Sequence, residues 1–231
     1  TFPYGNGDPW VLLSAAAAVT DQLKLVTGVA ALPRYRPHLL ARQVTSLDKL
    51  SQGRLILGAG LGFMDDEFTV FGEPGDKKVR AGMLDESLDV LTQLWTGQPV
   101  THHGRYYTLD NALLVHTPIQ KPRPPIWIGG DSHPALRRAA RWDGWLGGTC
   151  DENCQTTTHP ERIAEIVQEI QAHRTSSEPY DIALCGVTDP GQVEKVLPYQ
   201  QAGATWWFES IFGLRGSIAE MMARIQAGPA K

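Results

Sequence analysis

Two kinds of segment alternate along this chain, and the alternation constrains its fold more than any single motif. The first kind is short, apolar and closed by small residues. Its members are "KLVTGVAAL" (24–32), "RLILGAGLG" (54–62), "PIWIGGD" (125–131), "DGWLGGT" (143–149), "DIALCGVT" (181–188) and "TWWFES" (205–210). None alternates polar with apolar residues. Continuous apolar runs of this length read as strands buried on both faces, the habit of parallel sheets.

The second kind carries helical signals. "DPWVLLSAAAAVT" offers Asp8 as N-cap and Pro9 at the first helical position. "RPHLLARQVTSLDKLSQG" starts a helix at Pro37 and stops it before Gly53. "KKVRAGMLDESLDVLTQLWTG" puts Leu84, Leu88, Leu91 and Trp95 on one stripe and ends at Gly97. "HPERIAEIVQEIQAHR" groups Ile163, Ile166, Val167 and Ile170 on one face. In "DPGQVEKVLPYQQAG", Pro198 is expected to kink or split the helix. "GSIAEMMARIQAG" begins with Ser217 and Glu220 at capping-box spacing.

Six strand segments interleaved with helices predict an α/β fold with a parallel sheet. One interval is longer than a helix needs: 98–124 is rich in Pro and aromatic residues and reads as an insertion with a short hairpin. No repeat or linker divides the chain, so a single domain over 1–231 is expected. Most strands end in glycine with a polar residue close behind. That favours a TIM-type (β/α) barrel over an open sheet, because barrel enzymes build their sites at strand C-terminal ends.

Composition narrows the function classes. A formal net charge of −4 over 231 residues favours neither nucleic acid nor a membrane surface. No apolar run approaches the roughly 18 residues that span a bilayer. Three cysteines, Cys150, Cys154 and Cys185, are too few for a disulfide scaffold and point to a reducing, cytoplasmic setting. Cys150, Cys154 and His159 lack the fourth ligand and the spacing of a metal site. His102, His103 and His116 show no metal spacing either.

The glycines of "GAGLG" raise the question of a phosphate loop. Gly58, Gly60 and Gly62 recur at every second position, not at the Gly-x-Gly-x-x-Gly spacing of a dinucleotide fingerprint, and no Gly-Lys-Ser/Thr follows. Asp65, Asp66 and Glu67 behind them repel an anion. In a strand, a spacing of two clears a single face. Such a face either takes a planar ring or lets neighbouring elements pack closely, and spacing alone does not decide.

The ordered set "TGVAALPRYRPHLLARQVTSLDKLSQGRLILGAGLGFMDDEFTVFG", "LWTG", "HHGRYYTL", "PIQKPRPPIWIGGDS", "ALRRAARWDGW" and "AGATWW" resembles the luciferase-like monooxygenases, the bacterial-luciferase superfamily. The resemblance runs over nearly the whole chain. It implies a TIM-type barrel binding FMN, or the deazaflavin F420, at its strand ends. It implies oxidation of a small organic substrate with reduced FMN and dioxygen; the alternatives are F420-dependent hydride transfer or a non-catalytic flavin-binding remnant. A flavin reductase partner and a homodimer follow by the same analogy. Family members carry a strand, a helix and a second strand before the segment that starts here. The six strands are therefore expected to be the third to eighth of a longer protein.

The resemblance also implies site residues. Thr27, Gly28 and Val29 match the backbone that lies against the flavin ring, often with a non-proline cis peptide. Gly60 and Gly62 face the ring. Phe63 stands where some deazaflavin-dependent members place an acid. Gly129, Gly130, Asp131 and Ser132 hold the phosphate or ribityl chain, with Gly148 as a further contact. Trp206 walls the pocket, one of Trp206 and Trp207 facing inward and the other toward the helices. Glu209 and His38 are the candidate acid–base residues, set against plain alternatives of a surface glutamate and a solvated helix-start histidine.

Overall fold

Asp8 starts the first helix as expected. In the computed structural model, which describes residues 7–149, 151 and 155–229, its Oδ1 accepts from the amides of Trp10 (2.9 Å) and Val11 (3.0 Å). The chain divides into two compact units, 1–126 and 127–231. Each is taken in turn.

The first unit runs through α1 (Pro9–Ala18), β1 (Leu25–Val26), β2 (Ala30–Ala31), a 3₁₀ turn (Leu32–Arg34), α2 (Pro37–Leu50) and β3 (Leu55–Gly60). It continues through α3 (Asp66–Thr69), α4 (Lys77–Leu94), β4 (Val100–His103) and β5 (Thr108–Ala112). β1 and β2 both pair in parallel with β3. Every residue of β3 is buried, as a continuous apolar run requires.

The predicted stripe of α4 is its packing face. Leu84, Leu88 and Leu91 are buried against α2, whose Leu40, Ala41, Val44 and Leu47 face them. Each such side chain contributes about 1.5–3 kcal/mol on burial. Trp95 Nε1 donates to the Ala41 carbonyl at 3.3 Å, so the ring's one polar atom is satisfied where it is buried.

Three polar residues of this unit tie distant segments together. Arg54, buried, donates from Nε to Ser51 O (2.7 Å), from Nη1 to Thr20 Oγ1 (3.0 Å) and Leu23 O (2.8 Å), and from Nη2 to Ala17 O (3.0 Å) and Thr20 O (2.7 Å). It thereby closes the C-terminal end of α1 onto the end of α2, where helix carbonyls lack partners. Asp48, fully buried, accepts from the amides of Ile119 (2.7 Å) and Gln120 (3.2 Å) and from Gln120 Nε2 (2.7 Å).

Glu86 holds the β4–β5 ribbon that occupies the 98–124 stretch. Its carboxylate accepts from the amides of Arg105, Tyr106 and Tyr107 and lies 3.1 Å from His102 Nε2. Burial pushes this carboxyl up, but the Tyr107 amide, His102 and the Tyr106 amide together outweigh it and hold it below its ordinary value. A lowered folded-state value means stabilisation that is present above the unfolded value and lost as pH falls through the folded one. We therefore expect Glu86→Ala to cost about 2–3 kcal/mol at pH 7, the range of a charge-assisted cluster. Denaturant unfolding at stepped pH should show the gap to the parent protein closing below about pH 4.5, the unfolded glutamate value.

The second unit holds β6 (Ile126–Gly129, opening at the unit boundary), α5 (His133–Ala139), β7 (Gly144–Gly147), α6 (Pro160–His173) and β8 (Asp181–Gly186). It ends with α7 (Val193–Gln201), β9 (Trp206–Glu209), a second 3₁₀ turn (Gly213–Arg215) and α8 (Ile218–Gln226). β6, β7, β8 and β9 pair in that order, all parallel. Ile163, Ile166 and Ile170 of α6 are buried, as their spacing predicts. The capping box of Ser217 and Glu220 is complete.

Two expectations are corrected. Of the two outcomes expected at Pro198, splitting does not occur: α7 continues to Gln201 with the proline inside, a single missing N–H being tolerated in this nine-residue helix. The segment 24–32 is not one strand but two, because an extra residue is inserted between β1 and β2. Among the described residues no helix is long and apolar enough to cross a membrane. Cys150 and Cys154 lie outside the described residues.

Candidate functional site

The interruption between β1 and β2 is the most unusual backbone feature of the first unit. Val26 pairs with Ile56, and Ala30 pairs with Ala59. Four steps on one strand therefore oppose three on the other, the count of a β-bulge. The Gly28–Val29 peptide bond inside this bulge is cis. Thr27 is buried and anchors the bulge, its Oγ1 donating to the Gly58 carbonyl at 2.8 Å. Gly28 and Val29 are exposed. The result is a shelf of accessible backbone at the C-terminal end of the strand, fixed from below.

Gly60 belongs to the same feature. A Cβ at this position would lie 2.6 Å from Val29 Cγ2. The glycine therefore clears space for the side chain of Val29, a residue 39% exposed. The open surface is thus the shelf, and the glycine supports it.

Gly62 departs from its expected place. β3 stops at Gly60, so Gly62 no longer shares the strand's face. Its φ of +85° is a left-handed conformation that favours glycine, and a Cβ there would meet Phe68 Cζ at 2.4 Å. Phe63 follows, 81% exposed. His38 is exposed in the first turn of α2. The structure brings Thr27, Gly28, Val29 and Gly60 together.

In the second unit, Gly129 ends β6 and Gly130 follows with φ +109°. Trp145 Nε1 donates to the Gly130 carbonyl at 2.7 Å, fixing the turn. Ser132 is the N-cap of α5, but its side chain makes no capping bond. Asp131 does not cap that helix either; its carbonyl accepts from Arg162 Nη2 at 3.0 Å. Gly148 has φ +85°, and a Cβ would lie 2.7 Å from the Cys185 carbonyl oxygen. Close backbone approach, together with the left-handed φ, requires glycine here.

Trp206 and Trp207 divide as expected, one to each face. Trp207 packs on Tyr199 of α7, with ring centroids 5.2 Å apart. Trp206 lies on the opposite face against Trp127 (5.5 Å) and Phe208 (6.1 Å, stacked). The depth differs from expectation. Trp206 pairs with Ala183 and donates from Nε1 to Oδ1 of Asp181, the first residue of β8. It stands three residues short of the β9 terminus, about 10 Å at the strand rise. Phe208 shares the face of Trp206 and pairs with Cys185, the residue whose backbone abuts Gly148. Phe208 is therefore the aromatic at the level of the strand ends. The period-two rule that paired Trp206 with one face held this signal as well.

Glu209 lies with Trp207 on the α7 face, not with Trp206 and Phe208. Its carboxylate accepts from Trp207 Nε1 (3.2 Å), the Thr188 amide (2.8 Å) and the Thr188 hydroxyl (2.5 Å), and it pairs with Arg215 and with Arg224 (3.3 Å). Burial pushes this carboxyl up, yet Thr188, Arg215 and Trp207 together hold it below its ordinary value. These contacts make Glu209 an anchor between the ends of β8 and β9 and α8.

With this geometry in hand, the comparisons with known proteins are specific. The family model described as luciferase-like monooxygenase matches residues 1–188. An uncharacterized protein of Mycobacterium tuberculosis is 34% identical over 187 residues, covering 80% of this chain and 62% of that protein. The crystal structure of a monooxygenase from Streptomyces bottropensis aligns with TM-score 0.65 at 25% identity, covering 84% of this chain and 59% of that one. An F420-dependent secondary alcohol dehydrogenase aligns with TM-score 0.73 at 17% identity, over 87% of this chain and 78% of that one, a likeness of fold. The chain spans about three fifths of the length of this curated relative.

Proposed function

Since the chain belongs to the luciferase-like monooxygenase family, we propose that it is a flavin-dependent oxidoreductase that uses reduced FMN and dioxygen to oxygenate a small organic substrate. The observation that carries this reading is the Gly28–Val29 shelf: exposed backbone, anchored by Thr27, at a strand's C-terminal end. A flat ring needs open backbone to lie against, and exposed Gly28, which has no side chain, fits that need. The likeness to a monooxygenase structure at 25% identity is in keeping with the oxygenating reading.

FMN, when bound, supplies the electrons that activate dioxygen. The chain's own residues orient and shield. Thr27, Gly28 and Val29 would hold the ring, and Gly60 would keep Val29 in place. The resemblance implies a phosphate or ribityl contact for Gly129, Gly130, Asp131, Ser132 and Gly148. Apolar surface next to the shelf, from Val29 and Phe63, would exclude water, which strengthens the electrostatics of any reaction there. A reductase supplying reduced FMN, a homodimeric assembly and a cytoplasmic setting belong to the same proposal.

Labelled dioxygen tests it. With reduced FMN and a panel of small organic substrates, the product should carry one ¹⁸O atom. Bleaching of F420 on substrate addition with no label in the product would replace this reading by hydride transfer.

A further inference from the structure

The segment after β3 is held by a charge arrangement that the proposed function does not use. Phe68 of α3 is fully buried, and two guanidinium groups lie against its ring, Arg34 at 4.7 Å and Arg80 at 4.2 Å from the centroid. Arg80 is itself fully buried on α4. Its Nη2 donates to Asp65 Oδ1 at 2.6 Å, while Nε and Nη1 have no hydrogen-bond partner. A buried cation with so few acceptors is costly unless something else compensates its charge. The face of the Phe68 ring does so. Arg34 adds a second tether, donating to the Glu67 carbonyl and pairing with Glu73 at 3.6 Å.

The ring of Phe68 also reaches the end of the glycine strand. It fills the space where Gly62 would carry a Cβ, with Cζ 2.4 Å and Cε2 2.5 Å from that point. The segment is therefore fixed at Gly62 by the ring, at Asp65 by Arg80 and at Glu67 by Arg34. Between these points Phe63 and Met64 stand 81% and 46% exposed. Large apolar side chains on a tethered segment at a strand end are placed for contact with a ligand.

We propose that Arg80, acting through Phe68, is a positioning residue that holds the 61–65 segment in register at the end of β3, and that this placement supports cofactor binding on the shelf. The second half of this inference rests on the proposed flavin function; the first half does not. Two of the three acidic residues behind the glycines thereby gain a role: Asp65 is the counter-ion of Arg80, and Glu67 offers its carbonyl to Arg34.

Amide hydrogen exchange on the full chain tests it with Arg80→Met, Phe68→Leu and the double variant. Exchange across 61–69 should rise at least tenfold in each single variant and no further in the double, because both act on one clamp. Exchange in α6 and β8 should be unchanged, and the FMN dissociation constant should rise about tenfold in all three. Exchange at 61–69 within twofold of the parent, or single-variant effects that multiply in the double, would overturn the positioning. Altered exchange with unchanged FMN affinity would overturn the link to the cofactor. A parent chain that binds no FMN would sink the function alone, since the exchange arm needs no ligand. Phe68→Leu, apolar and smaller, carries the test if Arg80→Met does not fold.

Discussion

Arg54→Ala is expected to lower stability by about 3–5 kcal/mol, a large share of the 5–15 kcal/mol available to a domain. The variant removes five hydrogen bonds at once. Four of their acceptors are carbonyls, on Ala17, Thr20, Leu23 and Ser51. A buried polar group left without a partner costs about 1–3 kcal/mol. Ala17 and Ser51 belong to buried residues, so their carbonyls gain little from water, whereas Leu23 is exposed and rehydrates. The sum is therefore below four full penalties. Arg54→Lys should recover only part, since an ammonium cannot reach the ends of α1 and α2 together as the planar fork does. Urea denaturation measures the difference, and a loss under 1 kcal/mol for the alanine variant would show that the junction does not depend on this residue.

Gly60→Leu should abolish tight cofactor binding, raising the FMN dissociation constant about 100-fold, equivalent to about 2.8 kcal/mol at 1.4 kcal/mol per tenfold. Even a Cβ at this position comes within 2.6 Å of Val29 Cγ2. The Val29 Cβ lies 3.5 Å from the same point, so turning the valine about χ1 relieves a Cβ but leaves the larger leucine side chain against it. Overpacking of this kind ordinarily costs about 1–3 kcal/mol in stability. The shelf would move while Thr27, bonded to the Gly58 carbonyl, holds its base. Gly60→Ala should show the same effect at smaller amplitude. Isothermal titration of both variants with FMN gives the comparison, and parental affinity in Gly60→Leu would remove Gly60 and Val29 from the site.

Much of the architecture was legible in the sequence because it follows from local periodicity. Each apolar run contains a strand, and the stripe of α4 and the cap of α1 lie where the pattern puts them. The misreadings share a cause: they turn on pairing, which a local pattern does not encode. The run 24–32 looks continuous, but the extra residue that divides it appears only against β3. Gly62 keeps the spacing of Gly58 and Gly60 yet lies beyond the last paired residue.

Depth and face in the second unit follow the same rule. Periodicity puts Trp206 and Trp207 on opposite faces, but the height of Trp206 is fixed by register with Ala183, and the ring at the strand ends is that of Phe208. Glu209 reads as a free acid near a strand terminus until Thr188, Arg215 and Arg224 converge on it from 6 to 21 residues away. Asp48 and Arg54 stood inside the signature "LDKLSQGR" with no visible task. Their partners lie about 71 and 34 residues distant, so only the folded chain shows that this motif is a pair of junctions.

The central claim is that the exposed Gly28–Val29 shelf carries a flavin. The most direct test is a fluorescence titration of FMN, held at fixed concentration, with the purified protein, and the same titration with F420. The account predicts saturable quenching of FMN that Gly60→Leu removes. No change in either cofactor's fluorescence, up to protein concentrations far above those of ordinary flavin binding, would contradict it.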